Sequence, residues 1–180
     1  LRNPVRIVPS DLFSIHGQVP GHRRAFRRAG WHLDGETLNA MEIAFGPVPS
    51  RRLGRSLGIN NIPPKHCSYS CRYCQVGPTP ITEIEPRTFY APQTIFQAVS
   101  QHLQAVQNRG ESVDYLTFVP DGEPTLDSRL SESITALRSL GLPVAIISNA
   151  SLIWRPEVRV ALQQADWVSL KVDSVDETVW

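Results

Sequence analysis

The 180-residue chain has only three cysteines and one methionine, little excess of either charge sign, and no run of about eighteen apolar residues. Each scarcity excludes something. Without a long apolar run there is no candidate membrane helix. The first residues lack a charged segment followed by an apolar core and a small-residue cleavage site, so a soluble, cytoplasmic protein is expected. Eighteen Lys plus Arg against seventeen Asp plus Glu leave a formal charge of +1, no basis for a protein that coats nucleic acid. At 19% charged and 41% apolar residues, disorder across most of the chain is not expected. The length also falls short of the roughly 250 residues of a closed (β/α)8 barrel.

What is present is unevenly distributed. Residues 1–40 carry six Arg and three acids, residues 41–91 again six bases and three acids, and residues 92–180 six bases and eleven acids. Eleven of the fifteen prolines precede residue 93, which predicts a front half of loops and extended segments. Residues 1–40 show no sustained apolar period and predict no packed element. Met41 is the sole methionine and immediately precedes MEIAFGPVPSRRLGRSLGIN. The expectation is that translation starts there, with 1–40 an irregular basic extension and 41–180 the core domain. The rival is a basic arm contacting nucleic acid through Arg23, Arg24, Arg27 and Arg28.

Ser56 to Ile62 reads as a strand stopped by Pro63 and Pro64. Pro92 suits the start of a helix to Asn108, with Ile95, Val99, Leu103 and Val106 along one face and Gly110 ending it. Strand 114–119 then leads into Asp121-Gly122-Glu123-Pro124, and Leu130, Ile134, Leu137 and Leu140 mark a helix closed by Gly141. Strand 143–148, a helix near 156–164 and strand 166–172 follow. Strands alternating with helices predict βαβ units and a parallel sheet with its chemistry at the strand C-termini.

All three cysteines lie in Cys67-Ser-Tyr-Ser-Cys71-Arg-Tyr-Cys74. Three are odd and too close for a disulfide framework, and point to ligands or redox groups. An iron–sulfur cube normally takes four protein thiolates, so three leave one iron open to bind a substrate. A Cys3His zinc site is the competing reading, yet His66 adjoins Cys67 where zinc ligands are usually spaced by at least two residues, and His102 lies within a predicted helix. A redox pair of Cys71 and Cys74 leaves Cys67 unexplained. An electron-transfer protein with an incompletely ligated cluster is a third alternative.

The Cys-x3-Cys-x-aromatic-Cys pattern, with Tyr73 as the aromatic, resembles the signature of the radical S-adenosylmethionine (SAM) superfamily. The resemblance implies that Cys67, Cys71 and Cys74 bind three irons of a [4Fe-4S] cluster whose fourth iron chelates SAM. One electron, from a reductant such as flavodoxin or ferredoxin, then cleaves SAM to a 5′-deoxyadenosyl radical that abstracts hydrogen from a substrate. By the same resemblance Tyr73 lies against the adenine. Gly122, Glu123 and Pro124 match a Gly-Gly-Glu-Pro-like turn holding the methionyl amino group, with Asp121 where glycine is commoner. Ser148, Asn149, Lys171 and Asp173 end strands where the ribose and carboxylate of SAM are commonly held; their alternative role is capping strand ends.

The stretch 46–60 is similar to a branch related to wybutosine-type tRNA-modification enzymes; the expected substrate is an RNA, a peptide or a small molecule. Arg51, Arg52 and Arg55 suit a phosphate or carboxylate, or surface pairing with the acidic second half. The implied fold is the N-terminal part of a partial (β/α)6 TIM-like barrel with four visible strands, apparently truncated, and inactive or poorly soluble alone because its last strand lacks a neighbour.

Overall fold

Proline and glycine punctuate this chain, and the elements fall between them. The computed structural model describes residues 6–9 (backbone only), 43–80 and 82–172. Asp173, and the suggested start at Met41 with its arginine-rich arm, lie outside those residues.

Strand β1 is Arg6–Pro9, β2 Ala44–Ser50, β3 Gly54–Ile59, β4 Tyr115–Phe118, β5 Val144–Ser148 and β6 Trp167–Val172. They form one six-stranded sheet in the order β1-β6-β5-β4-β3-β2. All neighbours run parallel except β2, which is antiparallel to β3. Helices α1 (Pro92–Asn108), α2 (Leu130–Arg138) and α3 (Pro156–Gln164) connect β3 to β4, β4 to β5 and β5 to β6. The result is an α/β fold of three consecutive βαβ units.

The helix boundaries follow from local chemistry. Pro92 and Pro156 each occupy the first helical position, where the missing N–H costs nothing, and hold Ala91 and Arg155 extended before them. Beyond α1 and α2 the chain turns at Gly110 and Gly141, whose φ values of 74° and 76° suit glycine. Leu140 lies past the end of α2 and packs against the core from there.

One face of the sheet builds the core. Leu57 and Ile59, Leu116 and Phe118, Val144 and Ile146, and Val168 and Leu170 alternate along their strands and meet Ile95, Val99, Leu103, Ile134, Leu137 and Val158 from the helices. Each such side chain contributes about 1.5–3 kcal/mol on burial. Strand alternation turns Ser56, Gly58, Thr117, Ala145 and Ser169 to the opposite face, which is therefore made largely of small side chains. There the Ser56 and Thr117 hydroxyls hydrogen-bond at 2.6 Å.

Two expectations are corrected. Residues 6–9 are a strand, paired with Ser169 to Val172, so the edge of β6 is covered and the front segment does contribute a strand to the sheet. The arginine-rich stretch is a β-hairpin, with the first parallel strand ending at Ile59 rather than Ile62. Two prolines made β2 read as loop, yet an edge strand tolerates them, and a register shift between Phe45 and Val48 absorbs Pro47. Arg55 hydrogen-bonds Ser112 from this hairpin while Arg51 and Arg52 stand exposed in its turn.

Candidate functional site

The C-terminal ends of β3, β4 and β5 lie side by side, since Ile59 pairs with Phe118 and Phe118 with Ile146. The polar loops of the chain therefore emerge together, the usual position of ligand sites in parallel α/β sheets. After β3 comes the cysteine loop. Lys65 N–H donates to Asp121 O at 2.9 Å and Glu123 N–H to His66 O at 3.0 Å, which ties the loop to the turn after β4. At Gly122 a side chain is impossible without displacement, because a Cβ there would lie 2.0 Å from His66 O.

Within the loop, Cys67 O accepts from Glu83 N–H at 3.0 Å and Cys71 O from Cys74 N–H at 3.1 Å, and Gly77 N–H donates to Cys74 O at 2.9 Å. Lys65, in a left-handed conformation, donates its ammonium to Val76 O. None of the three cysteines is in a disulfide, and all are partly accessible. Burial pushes the Cys67 thiol up, opposed by a backbone hydrogen bond from Tyr69 and reinforced by the charge of Glu123.

Glu123 is the centre of the arrangement. Its side chain is buried, and Oε1 accepts from Thr125 N–H at 3.1 Å, Thr125 Oγ1 at 2.6 Å and Ser148 Oγ at 2.7 Å. Oε2 accepts from Asn149 N–H at 2.7 Å. Burial raises the carboxyl's pKa, and these four hydrogen bonds work against the rise. Glu123 thus clamps the end of β5 to the turn after β4. Pro124 O accepts from Asn61 Nδ2 at 3.0 Å, which brings in the segment after β3.

The other proposed site residues fall nearby. Ser148 Oγ, besides donating to Glu123, accepts Ala150 N–H at 3.0 Å. Asn149 Nδ2 faces Ser68 Oγ at 3.0 Å and Cys67 Sγ at 3.6 Å. Lys171, near the end of β6, lies over the Tyr73 ring at 3.7 Å and donates to Tyr73 Oη. Tyr73 is itself 59% exposed. Sequence reasoning missed Asn61, Ser68, Thr125 and Ser151. Thr125 was the most accessible of these, as a hydroxyl two residues after a glutamate that opens a turn.

The candidate zinc histidines are engaged elsewhere. His66 Nδ1 pairs with Glu83 Oε1 at 2.7 Å and its ring packs on Phe89, while His102 Nε2 bonds Gly46 O at 2.9 Å. Burial pushes the Glu83 carboxyl up, but His66 and Arg87 outweigh it and leave the pKa lowered. Among the described residues no three His, Cys, Asp or Glu side chains converge on a single ion. A cluster requires no such convergence, because each thiolate takes a different iron. Three unpaired thiols on one short loop, pinned at its base and accessible at its tip, fit that donor set.

A family model described as the radical SAM superfamily matches residues 61–180, from the residue after β3's connection begins through the remaining strands. The chain belongs to the radical SAM superfamily. Among its relatives, a UPF0026 protein of Methanocaldococcus jannaschii is 59% identical over 140 residues, covering 78% of this chain and 43% of that protein. A UPF0026 protein of Helicobacter pylori is 38% identical over 138 residues, covering 74% and 43%. A protein named S-adenosylmethionine-dependent nucleotide dehydratase, from a Thermoplasmatales archaeon, is 33% identical over 75 residues, covering 36% and 27%. The chain spans less than half the length of the curated relatives named here. No helix among the described residues is long and apolar enough to cross a membrane.

Proposed function

We propose that this chain carries the cluster- and cofactor-binding part of a radical SAM enzyme, built on the first strands of a partial (β/α)6 barrel. Cys67, Cys71 and Cys74 would hold a [4Fe-4S] cluster, and SAM would be held at the strand ends by Tyr73, the Gly122-Glu123-Pro124 turn, Ser148 and Lys171, with Asn149 beside them. Bound there, the cluster supplies the electron for reductive cleavage of SAM to a 5′-deoxyadenosyl radical that abstracts substrate hydrogen. The observation that carries this reading is the double tie between Lys65-His66 and Asp121-Glu123, which fixes the base of the cysteine loop against the glutamate turn.

The chain's own residues serve position and exclusion of water. Glu123 holds three loops at one point, the base on which a cofactor amine would be held. Lys171 adds a positive charge beside Tyr73, on the side suited to a carboxylate. The electron donor is a flavodoxin- or ferredoxin-type protein.

Anaerobic reconstitution of the complete protein with iron and sulfide tests the reading. The expected product is a brown protein with about four irons, which cleaves SAM to methionine and 5′-deoxyadenosine under reduction. Cys71→Ala should lose that cleavage entirely. A colourless protein holding stoichiometric zinc, or a Cys71→Ala variant that still cleaves SAM, would overturn it.

A further inference from the structure

Asn149 stands one residue beyond β5, and its own loop decides which way its amide points. Oδ1 accepts Ser151 N–H at 2.9 Å, an Asx turn, while the backbone N–H is held by Glu123 Oε2 at 2.7 Å. The oxygen is held first by Ser151 N–H, with Ser68 Oγ at 3.4 Å, and the amide nitrogen is turned to the cysteine loop, where it meets Ser68 Oγ and Cys67 Sγ. A flipped amide would set two N–H groups against the Ser151 N–H, so the orientation follows from the network.

We propose that the Asn149 side chain is a positioning residue for the cluster, donating an N–H···S hydrogen bond to Cys67 that sets the reduction potential, rather than a ligand for the ribose of SAM. The inference rests on the cluster reading above. Its donor–acceptor distance of 3.6 Å suits a sulfur acceptor, which is larger than oxygen. Reduction adds negative charge to the cluster, and an N–H aimed at a ligand sulfur favours the more negative state, so it raises the potential. The amide also couples two ends of the site. Glu123 places the Asn149 backbone, Ser151 orients the amide, and the amide reaches the half-buried corner of the loop. A displacement of the glutamate turn is therefore felt at Cys67.

The test compares the reconstituted complete protein with its Asn149→Ala and Asn149→Asp variants by iron and sulfide content and by potentiometric titration followed with electron paramagnetic resonance. Asp keeps the oxygen that caps Ser151, so it reports even where Ala disturbs the loop. Both variants should retain the cluster and show a more negative midpoint potential, with Asp lower than Ala because it replaces a donor by a charge. For Ala the reduced-to-oxidised ratio at a fixed potential should fall roughly three- to tenfold, the scale of the net contribution of one hydrogen bond. Wild-type potential in both variants overturns the inference and leaves the cluster assignment standing. Absence of a cluster from the wild-type protein overturns the assignment itself.

Discussion

The glutamate turn and the tip of the cysteine loop are neighbours built on opposite principles. Around Glu123 each carboxylate oxygen has a donor and the side chain is 1% exposed. The tip from Cys71 to Gly77 is held by successive backbone turns, with Arg72 and Tyr73 out in solvent. The first region is costly to disturb, since removing one partner strands several buried donors. The second is inexpensive to alter and open to a ligand. A site with a rigid base and an accessible rim can hold a reactive group in place while leaving one side of it free.

The largest expected effect breaks the base. Glu123→Ala orphans the Thr125, Ser148 and Asn149 donors and should lower unfolding free energy by about 3–5 kcal/mol in urea denaturation. A loss under 1 kcal/mol would mean that the clamp is dispensable. Asp127 sharpens the comparison, because it too is buried but incompletely matched. Oδ1 accepts Arg129 N–H at 2.9 Å and Oδ2 accepts Asn61 Nδ2 at 3.2 Å, while Asn61 Oδ1 is buried without a partner. Burial pushes the Asp127 carboxyl up to about 6, from an ordinary 3.8, against those hydrogen bonds.

A raised carboxyl pKa means that the fold binds the proton more tightly than the unfolded chain does. The stability gained from binding that proton is therefore full below about 4, is lost as pH rises to about 6, and is absent above. Asp127→Asn, which removes the buried charge and keeps an oxygen for Arg129 N–H, should be the more stable protein at pH 7.5 by about 1–3 kcal/mol. Its advantage should vanish near pH 4 in parallel melts. An advantage independent of pH would contradict the assignment. The smallest effect belongs to the rim: Lys171→Ala should change stability by less than about 1 kcal/mol, since its contact with Tyr73 is solvent-exposed. A larger loss would show that the tip is braced as the base is.

The same contrast explains what could be read from the residues alone. Helices α1 and α3 were legible to their ends because Pro92 and Pro156 fix where a helix starts, and apolar spacing fixes its face. Strands β4, β5 and β6 were legible as short apolar runs. β2 was not, because Pro47 and Pro49 are tolerated there only by virtue of its edge position, a tertiary fact. β1 was not, because its pairing depends on a strand more than 150 residues away. At the site, the cysteine spacing announced itself, whereas the clamp on Glu123 depends on Ser148 and Asn149 arriving from another βαβ unit.

Phe45 and Gly58 pair across the hairpin, and a Cβ on Gly58 would lie 2.1 Å from the Phe45 ring. The ring therefore sits in a notch left by the missing side chain of Gly58, on the face of β3 opposite Leu57 and Ile59. A strand weakened by two prolines and a bulge would otherwise slide along its neighbour, and a slip of one residue would turn every side chain to the wrong face. The notch acts as an index mark: it tells the hairpin where to stop, and so determines how far along the sheet the cysteine loop begins.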